Sequence, residues 1–88
     1  MWNDRLRLLE EVEGDWRSLP AELRSAAKIA LEKIDDDPIV GAPLFDPFRG
    51  WWSYRSGRLR VIYTIAHEAR FVIVARITDA GEEKAAMT

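Results

Sequence analysis

The chain has 88 residues, a net charge of -2, no cysteine and a single histidine. That length predicts one domain over residues 1–88 with one modest core. The absence of cysteine excludes disulfides and thiol chemistry, and one histidine excludes a histidine-rich metal site. No apolar run approaches the ~20 residues of a membrane span, and Met1-Trp2-Asn3-Asp4-Arg5 lacks a signal-peptide layout. A cytoplasmic protein with no membrane partner is therefore expected.

Taken in chain order, Arg5-Leu6-Arg7-Leu8-Leu9 fits either a short strand, with Leu6 and Leu8 on one face, or the start of a helix. Leu9, Val12, Trp16 and Leu19 then recur at helical spacing, with Gly14 weakening that helix by up to ~1 kcal/mol. Pro20 marks a boundary and suits the first turn of a second helix. There, Leu23, Ala26, Ala27, Ala30, Leu31 and Ile34 form one apolar stripe. Asp35-Asp36-Asp37-Pro38 ends it, since a residue before proline is pushed out of the helical region. Three acids there oppose the macrodipole and are expected as a solvated helix end.

Pro38 to Gly50 holds three prolines and two glycines and is expected as a loop. Its Ile39, Val40, Leu44, Phe45 and Phe48 are expected to pin it onto the core. Next, Trp51 to Ile65 reads as two strands joined at Ser56-Gly57. With that tip, Arg55 opposes Arg58, Ser53 opposes Arg60 and Trp51 opposes Ile62. One face then carries Arg55, Arg58, Arg60 and Trp51. The other carries Trp52, Tyr54, Leu59, Val61 and Tyr63, and is the core face. After a turn near Ala66-His67-Glu68-Ala69, Arg70 to Ile77 is apolar on both faces, as an interior strand would be. An even turn places Phe71 and Ile73 on the arginine face. Residues from about 79 to 88 read as a polar tail.

The order implies an α+β fold. Two N-terminal helices pack on one face of a small, mostly antiparallel, three- to four-stranded sheet, leaving the arginine face open. From Arg49 to Arg76 there are six arginines and one acid, a local net of +5 against -7 for the remainder. Such a field steers anionic partners more than the total charge does.

Leu19-Pro20, the alanine-rich helix, Asp37-Pro38, Gly41, Leu44, Gly50, Arg55, Gly57 and Arg60-Val61-Ile62-Tyr63, followed by a short turn and a hydrophobic strand, together resemble the RelE/ParE family. These are the toxins of bacterial and archaeal type II toxin–antitoxin modules. The resemblance runs from about Arg5 to Ile77. It implies a compact α+β fold and a cognate antitoxin that wraps it. RelE-like members arrest growth by cleaving mRNA, usually on the ribosome, as metal-independent endoribonucleases (mRNA interferases). ParE-like members block DNA gyrase. Arg60 matches a position that RelE-like nucleases use to hold the scissile phosphate, and Arg55 and Arg58 match an often basic neighbourhood.

The chain departs from the nuclease pattern after its last strand. Nuclease members usually place a basic residue or histidine there and then a tyrosine. Here Thr78-Asp79-Ala80-Gly81-Glu82-Glu83 follows, and no Arg, His or Tyr comes after it. The resemblance therefore leaves three readings open: ribonuclease toxin, gyrase-inhibiting toxin, or a non-catalytic homologue that still binds an antitoxin.

Cleavage needs the 2′-hydroxyl deprotonated, charge on the phosphate stabilised and the leaving oxygen protonated. Arginines supply the second and are poor at proton transfer. His67 has a suitable intrinsic pKa and is the candidate for that step. Tyr63 falls on the core face, where packing is the expected role. Trp51 suits stacking on a base, covering the sheet, or receiving an antitoxin side chain. Arg49, Arg55, Arg58 and Trp51 are thus the candidate substrate-binding residues, with Arg60 and His67 as the catalytic candidates. No cofactor or metal is expected, because there is no Gly-rich phosphate loop and no metal-ligand cluster.

Overall fold

The structure is a computed structural model and describes residues 5–66, 68 and 70–81. Strand β1 (Leu6–Leu8) is followed by helices α1 (Glu10–Ser18) and α2 (Ala21–Asp36). A 3-10 turn, Pro38–Val40, leads to the short β2 (Ala42–Pro43). Strands β3 (Trp51–Ser56), β4 (Leu59–Ala66) and β5 (Phe71–Asp79) complete the sheet. The alternation at Leu6-Arg7-Leu8 is thus a strand. Leu6 is buried, whereas Arg7 is exposed.

The sheet has five strands in the order β1-β5-β4-β3-β2, more than the three to four expected. The additions are the certain β1 and the two-residue β2. Only β1 and β5 run parallel; every other pair is antiparallel. β5 is interior, flanked by β1 and β4, which explains its apolar residues on both faces.

Both helices pack on one face. The α2 stripe buries Leu23, Ala27, Ala30, Leu31 and Ile34 against Leu59, Val61, Tyr63, Val72, Val74 and Ile77. The small alanines allow that close approach.

Two expectations about the loops fail. Asp35 is not solvated: it is 4% exposed and faces Arg5, with Arg5 Nε 3.6 Å from its Oδ1. It falls on the buried side of α2 beside Ile34, and the residue just before β1 supplies the compensating cation. Asp36 and Asp37 are exposed, as expected.

The 38–50 loop is also not pinned by its apolar residues. Ile39, Val40, Phe45 (87% exposed) and Phe48 all face outward. Only Pro38 is buried and Leu44 half-buried. The loop is held instead by polar contacts. The Tyr63 hydroxyl donates to the Pro38 carbonyl at 2.7 Å and accepts the Gly41 amide at 3.1 Å. A Cβ at Gly41 would stand 2.6 Å from that hydroxyl and 2.8 Å from the Ser53 carbonyl oxygen, so glycine is required there by space.

Candidate functional site

The site is the sheet face that the helices leave open. Its layout starts at the hairpin tip. Ser56 pairs with Leu59, so the tip is Gly57-Arg58 and not Ser56-Gly57. Gly57 has φ +59°, and a positive-φ glycine at the first central position is what a type II′ turn takes. The pairing therefore slides by two residues relative to the sequence-based register. A slide of two preserves every face, because side chains alternate with period two.

Register arranges the open face in rows. Arg55 stands opposite Arg60, which stands opposite Thr78. The next row is Ser53, Ile62 and Arg76. The one after is Trp51, Thr64, Ile73 and Arg7, followed by Ala66 with Phe71. A bulge between Ile62 and Tyr63 takes up one β5 residue, Ala75, and keeps both halves of β5 in phase with β4.

Arg55 and Arg60 are brought together as two like charges directly opposed. Such a pair is unfavourable by itself and is suited to an anion. Arg60 is half-buried, whereas Arg55 is exposed and donates from Nε to the Gly57 carbonyl at 3.3 Å. Trp51 shares this face, two rows away.

Other candidates are drawn off. Arg58 is at the tip and not on the face. It grips Asp79 through two hydrogen bonds, Nε to Oδ1 at 3.2 Å and a terminal nitrogen to Oδ2 at 2.8 Å. The Ala80 amide bonds the Arg58 carbonyl. Arg49 stays in the 38–50 loop, 3.4 Å from Asp46. His67 lies outside the described residues, as do residues 82–88; of the expected 79–88 tail, Asp79 instead ends β5 opposite Leu59 and Ala80 is buried. Tyr63 is fully buried on the core face. Burial and the nearby Asp37 and Tyr54 raise its pKa, against the lowering effect of the Gly41 amide, so the hydroxyl keeps its proton.

Two further contacts lie outside the sequence-based expectations. Asp15, on α1, accepts both Nε and a terminal nitrogen of Arg76 at 2.9 Å, together with the Ile77 amide at 2.9 Å. Burial pushes this carboxyl up, but those bonds and the Arg76 charge outweigh it and hold its pKa below the ordinary value. The second contact is Arg7, whose guanidinium carbon lies 5.0 Å from the centre of the Phe71 ring, within cation–π range. The alternation of Leu6-Arg7-Leu8 was the available signal for it. No group of three or more His, Cys, Asp or Glu capable of holding a metal exists among the described residues. On the helix side, Leu8, Leu9, Val12, Trp16, Leu31 and Ile77 line an apolar groove of about 510 Å³.

No protein-family model matches the chain, and no curated protein matches it by sequence. Solved structures do. The toxin–antitoxin complex RelBE2 of Mycobacterium tuberculosis is similar to it at 26% identity, over 84% of this chain and 94% of that one, with a TM-score of 0.77. The isolated RelE toxin of E. coli is similar at 19% identity, over 93% and 94%, with a TM-score of 0.70. A YoeB/ParE toxin from Agrobacterium tumefaciens is similar at 18% identity, over 85% and 96%, with a TM-score of 0.71. The resemblance read from the sequence is borne out, and the fold is that of the RelE/ParE toxins.

Proposed function

We propose that this chain is the toxin of a type II toxin–antitoxin module and that it acts on ribosome-bound mRNA through Arg55 and Arg60. The observation that carries the reading is their direct opposition on an open sheet face. Two preorganised guanidinium groups suit a phosphate and the charge that develops on it during cleavage. Likeness to toxins solved with their antitoxins supports a cognate antitoxin as partner. Arg60 is proposed to hold the scissile phosphate, with Arg55 beside it and Trp51 available to stack on a base. His67 is the proposed proton acceptor, since Tyr63 is committed to the 38–41 turn.

A gyrase-directed toxin is the second reading, and one observation favours it. Asp79 occupies the end of the last strand and neutralises Arg58, where a nuclease would gain from a further cation. Poisoning a protein target requires binding and no new proton-transfer groups.

Expression of the chain without an antitoxin separates toxin from inert homologue. The expected result is growth arrest, relieved by Arg60→Ala at equal protein level. Unimpaired growth with well-expressed wild type would remove the toxin reading.

A further inference from the structure

We infer that the far end of the open face, where Arg7 lies over Phe71, is a second nucleic-acid contact. It would be a stacking platform for a base of single-stranded RNA whose backbone is held at Arg55 and Arg60. This rests on the RNA reading above and adds a subsite to it.

The register supplies the spacing. Successive rows on one face are two residues apart, so the Arg55–Arg60 row and the Trp51–Arg7 row are separated by about 14 Å along the strands. Between them the face carries Ser53 and Ile62, and Arg76 in that row is turned to Asp15. Phosphate-binding charge therefore sits at one end, and aromatic surface with a cation at the other.

The Arg7 guanidinium is fixed at two points. It lies over the Phe71 ring, and a terminal nitrogen donates to the Leu6 carbonyl at 3.2 Å. A guanidinium held beside an aromatic ring makes a surface on which an unstacked base can lie. Trp51, on the same face at the β3 end of that row, offers a second ring. A strand of RNA crossing the face diagonally from Arg60 would meet Ile62 and Thr64 before reaching Ile73 and Arg7. A duplex cannot use such a surface, because its bases are already stacked on one another. The site thus favours a single strand longer than a few nucleotides, with little sequence preference at the stacked end.

Fluorescence anisotropy of the full chain with a labelled RNA trinucleotide and a labelled single-stranded RNA nonanucleotide tests this. Arg7→Ala and Phe71→Leu are each expected to weaken nonanucleotide binding about tenfold, as loss of one stacked base does, and to leave trinucleotide binding unchanged. Arg60→Ala is expected to weaken both. Phe71→Leu keeps the charge and an apolar filler, so it stays informative if Arg7→Ala folds poorly. If wild type binds neither RNA, the RNA reading of the face falls and the platform with it. If wild type binds both and the two platform variants bind the nonanucleotide as tightly as wild type, the platform alone is overturned. Competition of an acidic peptide that depends on Phe71 when RNA binding does not would likewise overturn it, in favour of a protein contact.

Discussion

Arg55 and Arg60 stand directly opposite each other across the β3–β4 hairpin, on the face the helices do not cover. Next along β4, Val61 is fully buried under α2. The two neighbours therefore predict opposite outcomes. Arg60→Ala relieves a like-charge pair and should change stability by no more than about 1 kcal/mol. Val61→Asp puts an unpartnered charge in the core and should unfold the domain. Thermal melts of both variants check this, and equal losses would show that the faces are misassigned.

Asp15 ties α1 to the part of β5 that lies beyond the reach of β1. Its bonds to Arg76 and to the Ile77 amide predict that Asp15→Asn costs roughly 2 kcal/mol at neutral pH. Because the folded-state pKa is depressed, this contribution is present above the ordinary carboxylate value of 3.8 and is lost as pH falls below it toward the folded-state pKa. Urea unfolding of both proteins across that range should show the gap closing in acid. A gap that is constant with pH would mean the carboxylate charge is not what matters.

Tyr63 and Gly41 form one lock on the 38–41 turn. Tyr63→Phe strands the Pro38 carbonyl and the Gly41 amide and should cost about 1–3 kcal/mol. Gly41→Ala should also destabilise, since its Cβ would press on the Tyr63 hydroxyl and on β3 backbone. Neither substitution touches the open face. Residual activity per folded molecule should therefore survive in Tyr63→Phe, measured below its melting temperature; its loss would make Tyr63 part of the chemistry.

The antitoxin is expected to compete for the arginine face, with carboxylates on Arg55 and Arg60 and aliphatic side chains against Trp51 and Ile73. Truncating one partner of a desolvated charged pair costs ~2–5 kcal/mol. Titration calorimetry with the cognate antitoxin should thus show Arg60→Ala binding at least tenfold more weakly. Equal affinity, with toxicity lost, would move the antitoxin to the helix-side groove lined by Leu8, Leu9 and Trp16.

Much of this was legible in the sequence, and for definite reasons. The α2 stripe and the alternation of β4 carry single, strong periods, so their buried faces followed directly. Face assignment survived a wrong hairpin tip because the error was two residues and not one. The tip itself was ambiguous, since Ser56-Gly57 and Gly57-Arg58 both contain the required glycine, and only pairing distinguishes them. Moving the tip to Gly57-Arg58 takes Arg58 off the open face. In the 38–50 loop apolar content does not mean burial, because hydrogen bonds to Tyr63 hold the turn. Contacts between residues distant in the chain, such as Asp15 with Arg76 and Asp35 with Arg5, leave no periodic trace at all. The family resemblance supplied the toxin fold, which no local pattern carries.

The most direct measurement adds purified chain to ribosomes programmed with a defined message and follows the message over time. The account predicts cleavage by wild type, slowed roughly a hundredfold or more by Arg60→Ala, as loss of a charge-stabilising donor is, with the variant still folded. An intact message in the presence of protein that arrests growth would contradict it, and loss of gyrase supercoiling by the same preparation would assign the arginine face to a protein target.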